Sequence, residues 1–145
     1  MTEASAVCLD ASFVVKLVMP EDDTPLAQAM LGRWLGAGVR PIGPVTAMAE
    51  SCSVAWNRVH RGRMDPEEGH KAIAALLGLD IELVPLDAFY LRAWALAAQL
   101  RQPTLYDCYY LAVAETYDCE FWTADRALYL ARRLSLPWVR LLGDD

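Results

Sequence analysis

Residues 7–22 read VCLDASFVVKLVMPED and contain an apolar run, an acid and a short helical pattern in immediate succession. The apolar run, Ala6–Leu9, is typical of a buried strand and ends at Asp10. Ser12 is of a residue type that caps helices, and the helix that it begins extends through Val18 and is closed by Pro20. A buried strand followed directly by a helix is typical of a parallel sheet covered by helices.

The same alternation continues along the rest of the chain. Apolar runs predict further strands at 40–42, 81–84, 120–122 and 138–141. Amphipathic patterns predict helices at 24–35, 45–59, 66–77, 87–100, 105–117 and 126–134. We therefore predict an α/β fold with three layers, in which a mainly parallel sheet of four or five strands is flanked by helices.

The 145 residues fit one domain, which we place at 1–145. No apolar run approaches the length needed to cross a bilayer, and the polar, acidic segment Met1–Ala6 lacks the basic start of a signal peptide. We expect a cytoplasmic protein without a membrane contact. The four cysteines show no CxxC spacing, so we expect reduced core residues and no zinc site.

Four acids stand where the predicted sheet ends. Asp10 follows the first strand directly, and Asp125 follows the fourth. Glu50 lies about one turn into the helix after the second strand, and Asp107 lies in the first turn of its own helix. The crevice of an open parallel sheet lies beyond the carboxyl ends of its strands. We therefore expect the four carboxylates to line one pocket.

Four carboxylates in one pocket repel each other unless a cation neutralises them. Oxygen ligands suit a hard divalent ion such as Mg²⁺ or Mn²⁺, which can activate water and stabilise a leaving oxygen. The chain has only two histidines, both in a polar helical stretch, so histidine acid–base chemistry has little support. Taken singly, each acid has a structural explanation: Asp10 and Asp125 as caps, Glu50 as an exposed helical acid, and Asp107 in a near capping box with Thr104.

Three stretches resemble the motifs of PIN domains, especially VapC-type toxins. Residues 7–22 resemble the family's opening strand, Asp-x-Ser and short helix. PVTAMAES at 44–51 resembles the second block, and LYDCYYLAVAETYDCEFWTADRAL at 105–128 resembles the third and fourth. The matching positions are Asp10, Ser12, Glu50, Asp107, Thr123 and Asp125. The resemblance spans Val7 to Leu142 in the expected order, although residues 58–87 match only in their pattern of elements.

The resemblance implies a PIN-like domain with a metal-dependent endoribonuclease activity, in which the four acids hold Mg²⁺ or Mn²⁺. Ser12 and Thr123 would support the carboxylates or bind metal-held water. For VapC-type members it also implies the toxin of a toxin–antitoxin pair, with an RNA substrate, a homodimer and a cognate antitoxin as partners. Composition and periodicity imply none of these properties.

The net charge of −6 is unusual for a nucleic-acid binder, because phosphate contacts normally need a basic surface. The basic residues are locally concentrated, and we expect one group of them to flank the pocket. The candidate RNA-binding residues are Lys16, Arg58, Arg61, Arg63, Arg126 and Arg132. Each group taken alone is typical of a solvated helix face.

Two other functions fit parts of the pattern. A haloacid-dehalogenase-type phosphatase also carries an Asp after its first strand, but it needs a second Asp two residues on, where this chain has Ser12. A PIN-like nucleic-acid or protein binding module without catalysis is the other alternative, and the presence of all four acids argues against it. Five tryptophans and six tyrosines give thin support for a dimer, since most of them are expected to fill the core.

Overall fold

The computed structural model describes residues 5–144, so the predicted domain limits at 1 and 145 lie outside the described residues. The strands are β1 Ala6–Leu9, β2 Arg40–Pro44, β3 Glu82–Val84, β4 Glu120–Thr123 and β5 Val139–Leu141. The helices are α1 Ala11–Val18, α2 Thr24–Gly36, α3 Thr46–His60, α4 Pro66–Leu77, α5 Tyr90–Leu100, α6 Tyr106–Thr116 and α7 Arg126–Arg132. Every predicted strand and helix is present, and only the ends differ. The predicted α/β fold is confirmed.

The five strands form one all-parallel sheet in the order β3-β2-β1-β4-β5. The chain moves outward from β1 through β2 to β3, and then returns to place β4 on the other side of β1. Cys8 therefore pairs with Ile42 of β2 on one side and with Phe121 of β4 on the other. The strand order reverses at β1, and the crevice of such a sheet lies at that reversal, beyond the carboxyl ends of β1 and β4.

Each face of the sheet carries its own core. On one face, Cys8, Ile42 and Phe121 pack with buried residues of α5 and α6. On the other face, Val7 and Leu9 pack with buried residues of α1, α2, α3 and α4. The alternating side chains of β1 thus enter two separate cores, which holds its carboxyl end firmly between two helical layers. None of the helices among residues 5–144 has both the length and the apolar content to cross a membrane.

Two tryptophans depart from the sequence expectation. The expectation from the helical pattern that tryptophans fill the core is wrong for Trp56, which is 64% exposed, and for Trp94, which is 69% exposed. In α3 the buried stripe consists of small residues, Ala47, Ser51 and Ala55, and Trp56 lies about 100° around the helix from Ala55. Small residues let α3 pack closely against its neighbours, mainly α1 and α4, and leave no room for an indole on that face.

Candidate active site at the carboxyl edge of the sheet

Asp10 lies at the carboxyl end of β1 and is 7% exposed. Its backbone N–H donates to Trp122 O of β4 at 3.2 Å, and its Oδ1 accepts from Phe13 N at 3.0 Å. The capping role considered for Asp10 is therefore present: the Asp10 carboxylate caps α1, and the expectation that Ser12 begins this helix is wrong, because α1 begins at Ala11. A cap needs no burial, however, and a buried carboxylate at the reversal of strand order calls for a further explanation.

Two hydroxyl groups hold the Asp10 carboxylate. Ser12 Oγ donates to Oδ1 at 2.7 Å, and Thr123 Oγ1 donates to Oδ2 at 2.6 Å. Each hydroxyl also accepts a backbone N–H from the turn after β4. Ser12 Oγ accepts the N–H of Ala124 at 2.9 Å, and Thr123 Oγ1 accepts the N–H of Asp125 at 3.0 Å. Both hydroxyls are thus satisfied, and the side chain of Asp10 is fixed in one orientation between β1 and β4.

The pKa of Asp10 is raised to about 6: burial raises it, the hydrogen bonds from Thr123, Ser12 and Phe13 lower it, and the charge of Asp107 raises it. Three donors normally favour a carboxylate strongly, so desolvation exceeds their effect here. The ionised form of Asp10 is costly in the fold as it stands, and a nearby cation would offset that cost.

Glu50 stands one turn into α3 and is held by one side-chain donor. Tyr110 OH donates to Glu50 Oε2 at 3.0 Å. The other oxygen, Oε1, is buried and makes no hydrogen bond, and the nearby Thr46 Oγ1 is equally unpartnered. Burial raises the pKa of Glu50; Tyr110 lowers it, Asp107 raises it, and the Thr46 hydroxyl lowers it slightly. A buried carboxylate oxygen without a hydrogen bond is rare in proteins, and a bound ion is one partner that would satisfy it.

Asp107 lies in the first turn of α6, where the capping box considered from the sequence does not form. The helix begins after Leu105, and no side chain caps it. Desolvation raises the pKa of Asp107, the charge of Asp125 adds to that rise, and Arg132 lowers it. Because Asp107 also raises the pKa of Asp10 and of Glu50, its charge reaches all three of the other acids.

Asp125 is exposed and serves as the N-cap of α7, its Oδ1 accepting from Leu128 N at 3.1 Å. The cap considered from the sequence is therefore present. Asp125 also interacts electrostatically with Asp107, because the charge of Asp125 contributes to the raised pKa of Asp107.

The donor set suits a hard divalent cation, because all four acids offer oxygen and Glu50 keeps one buried oxygen unpartnered. The acids influence one another through space without forming a closed cage. Within residues 5–144, no three Asp, Glu, His or Cys side chains are grouped tightly enough to hold a metal ion. Joint coordination of an ion by the four carboxylates stays a prediction.

Comparison with known proteins decides the family. Residues 7–134 match the family model of the PIN domain. This chain belongs to the PIN-domain family. PIN domains are generally metal-dependent nucleases, so the family supports a hydrolase that acts on nucleic acid. The crystal structure of PAE2754 from Pyrobaculum aerophilum has the same fold, with a TM-score of 0.67 and 18% sequence identity over 95% of this chain and 84% of that one. No curated protein matches the sequence significantly.

The basic candidates of this PIN domain have three kinds of surroundings. Lys16 forms ion pairs with Glu21 and Asp23. Arg58 also pairs with Glu21, with its Nη2 lying 2.9 Å from Glu21 Oε1. These cations are thus neutralised by acids of the loop between α1 and α2. Arg61, Arg63 and Arg126 are exposed. Arg132, in contrast, lies close enough to Asp107 to lower its pKa.

Sequence reasoning missed Tyr110 as a residue of this PIN-domain site. Tyr110 is 2% exposed, and its hydroxyl is the side-chain partner of Glu50. A signal was available, because Tyr110 follows Asp107 by three residues on a helix and so shares its face. An aromatic residue on a buried helix face is more often a core residue, and only the contact with α3 shows otherwise.

Proposed function

We propose that this PIN domain, spanning 1–145, is a metal-dependent endoribonuclease that cleaves RNA phosphodiester bonds with water activated by Mg²⁺ or Mn²⁺. The observation that carries the proposal is the Asp10 carboxylate, which is buried at the reversal of strand order, held by two hydroxyls and within reach of the charge of Asp107. The VapC-like motifs support the role of a cytoplasmic toxin in a toxin–antitoxin pair.

In this proposal Asp10, Glu50, Asp107 and Asp125 hold the cation, which when bound would activate water and stabilise the leaving oxygen. The protein's part is to keep ligand oxygens in place. Ser12 and Thr123 prevent rotation of the Asp10 side chain, because each of its oxygens has a donor on a different element. Preorganised ligands require little rearrangement when the ion and the substrate bind.

Arg132 is the cation best placed to contact the RNA backbone near the acids. It lies seven residues after Asp125 on α7, so the two side chains share one helix face. Long side chains on a helix lean toward its N-terminus, and the N-terminus of α7 stands at the carboxyl edge of the sheet. The influence of Arg132 on Asp107 agrees with that direction.

A homodimer and a cognate antitoxin are proposed as partners from the resemblance to VapC-type toxins. Exposed apolar side chains on α5, among them Leu91 at 88% and Trp94 at 69%, support a protein contact on that surface. Sedimentation equilibrium of the purified chain tests the dimer, and co-expression with the protein of the neighbouring gene tests the antitoxin.

Both alternative functions are less well supported. In a haloacid-dehalogenase-type phosphatase the second residue after the first Asp is an acid, whereas here it is Ser12, whose hydroxyl serves Asp10. A binding module without catalysis offers no reason for a carboxylate whose burial raises its pKa to about 6. Such a costly buried charge is more typical of a functional site.

The test is cleavage of a labelled single-stranded RNA by the purified protein with EDTA, Mg²⁺ or Mn²⁺, with DNA of the same sequence as a second substrate. We expect cleavage of RNA that requires the metal and is lost in Asp10→Asn. Asp87→Asn is the matched control, because Asp87 is an exposed acid before α5. Cleavage that persists in EDTA, or in Asp10→Asn, would contradict the proposal, and metal-dependent release of phosphate from monoesters would favour the phosphatase.

A further inference from the structure

Glu50 has two carboxylate oxygens with different surroundings. Oε2 accepts the hydroxyl of Tyr110 at 3.0 Å, and Oε1 is buried without a hydrogen-bond partner. A glutamate side chain rotates about three bonds, so its carboxylate needs a partner to fix its orientation. On α3 the Thr46 hydroxyl lies near the Glu50 carboxylate and lowers its pKa, but the hydrogen bond that holds one of its oxygens comes from Tyr110 on α6.

Tyr110 is itself held in place. Its ring packs against Phe121 with centroids 6.1 Å apart, and Cys8 Sγ donates to its backbone oxygen at 3.6 Å. With 2% exposure, the side chain has no free space in which to change rotamer. Contacts with β1 and β4 therefore fix the position of Tyr110 on α6. Its hydroxyl donates to Glu50 of α3 from this fixed position.

We infer that Tyr110 is a positioning residue for the metal site, which fixes Glu50 Oε2 so that Oε1 is presented to the cation. The inference rests on the proposed function, since it concerns the same ion. Residues that orient a ligand in this way typically change metal affinity roughly 10- to 100-fold when they are replaced.

The test measures the affinity of the full chain for Mn²⁺ by titration calorimetry, without RNA and without any measurement of activity. Tyr110→Phe removes one oxygen and keeps the ring that packs on Phe121. Tyr109→Phe is the matched control: Tyr109 is the neighbouring, half-buried tyrosine, and its ring packs against Tyr90 and Tyr106. Glu50→Gln reports the loss of the ligand itself.

We expect Tyr110→Phe to bind Mn²⁺ about 10-fold or more weakly than the wild type, and Tyr109→Phe to bind it as the wild type does. Melting temperatures in EDTA separate this effect from a general loss of structure. If Tyr110→Phe binds Mn²⁺ with wild-type affinity while Glu50→Gln is impaired, the inference is overturned and the proposed function survives. If the wild-type chain binds no Mn²⁺, the proposed function fails and the inference falls with it.

A crystal structure of the wild-type chain with Mn²⁺ tests the same geometry without any variant. We expect Tyr110 OH to remain on Glu50 Oε2 and Oε1 to contact the ion. An ion on Oε2, or a Glu50 side chain turned away from Tyr110, would overturn the inference.

Discussion

Thr123 Oγ1 lies 2.6 Å from Asp10 Oδ2, so that a hydroxyl at the end of β4 holds a buried carboxylate at the end of β1. The two residues are 113 positions apart in the chain and meet because β4 pairs directly with β1. The same hydroxyl accepts the backbone N–H of Asp125, so it ties together two of the four candidate ligands.

Replacement of Thr123 by Val removes this hydroxyl at nearly constant shape. It leaves Asp10 Oδ2 and Asp125 N–H without that partner, and a buried unsatisfied polar group costs about 1–3 kcal/mol. We expect that loss in urea unfolding at neutral pH, together with reduced RNA cleavage. Thr116→Val, at the exposed end of α6, is the control. A Thr123→Val protein as stable and as active as the wild type would mean that the hydroxyl has no role.

The stability of the metal-free protein should depend on pH through Asp10. The pKa of Asp10 is about 6 in the folded protein and about 4 in an unfolded chain, so the folded state binds more protons between these values. Stability from this group is therefore complete below about pH 4 and is lost as the pH rises through 6, by up to about 3 kcal/mol. Unfolding in EDTA from pH 4 to 8 should show a decrease that is smaller in Asp10→Asn, where the raised pKa values of Glu50 and Asp107 still contribute. Parallel curves for the two proteins would contradict the expectation.

Asp107→Asn should separate stability from catalysis. The amide removes the charge that raises the pKa of Asp10 and Glu50, and α6 has no side-chain cap to lose. We expect the melting temperature in EDTA to rise or stay unchanged, and Mg²⁺- or Mn²⁺-dependent cleavage to be abolished. Added metal should also stabilise the variant less than the wild type. A less stable variant that still cuts RNA would remove Asp107 from the site.

Arg132→Gln should weaken RNA binding, because Arg132 is the candidate cation that acts on Asp107. Losing one phosphate contact lowers the slope of log affinity against log salt by about one. Arg33→Gln, at an exposed arginine of α2 outside the candidate set, is the control, and fluorescence anisotropy with a short RNA in EDTA measures both. Equal salt slopes for the wild type and Arg132→Gln would place the RNA surface elsewhere, for example at Arg61 and Arg63.

The elements and the position of most candidate acids could be predicted from local patterns. Alternating apolar runs and helical periods located the five strands and seven helices found among residues 5–144, because these patterns depend on which side chains face a core. Since the strands are parallel, residues that follow them reach one edge, and this places Asp10 and Asp125 together. Local reasoning could not separate a cap from a ligand: Asp125 caps its helix, whereas Asp107 does not.

Other relationships were decided by tertiary structure alone. The order of the strands brings Thr123 to Asp10, and a side-chain hydrogen bond between α6 and α3 joins Tyr110 to Glu50 across 60 positions. The loop after α1 folds back so that Glu21 neutralises Lys16 and Arg58. The sequence determined which segments are strands and helices because that choice depends on neighbours within a few positions. Which side chains touch depends on how those segments pack, and a pattern along the chain does not contain that information.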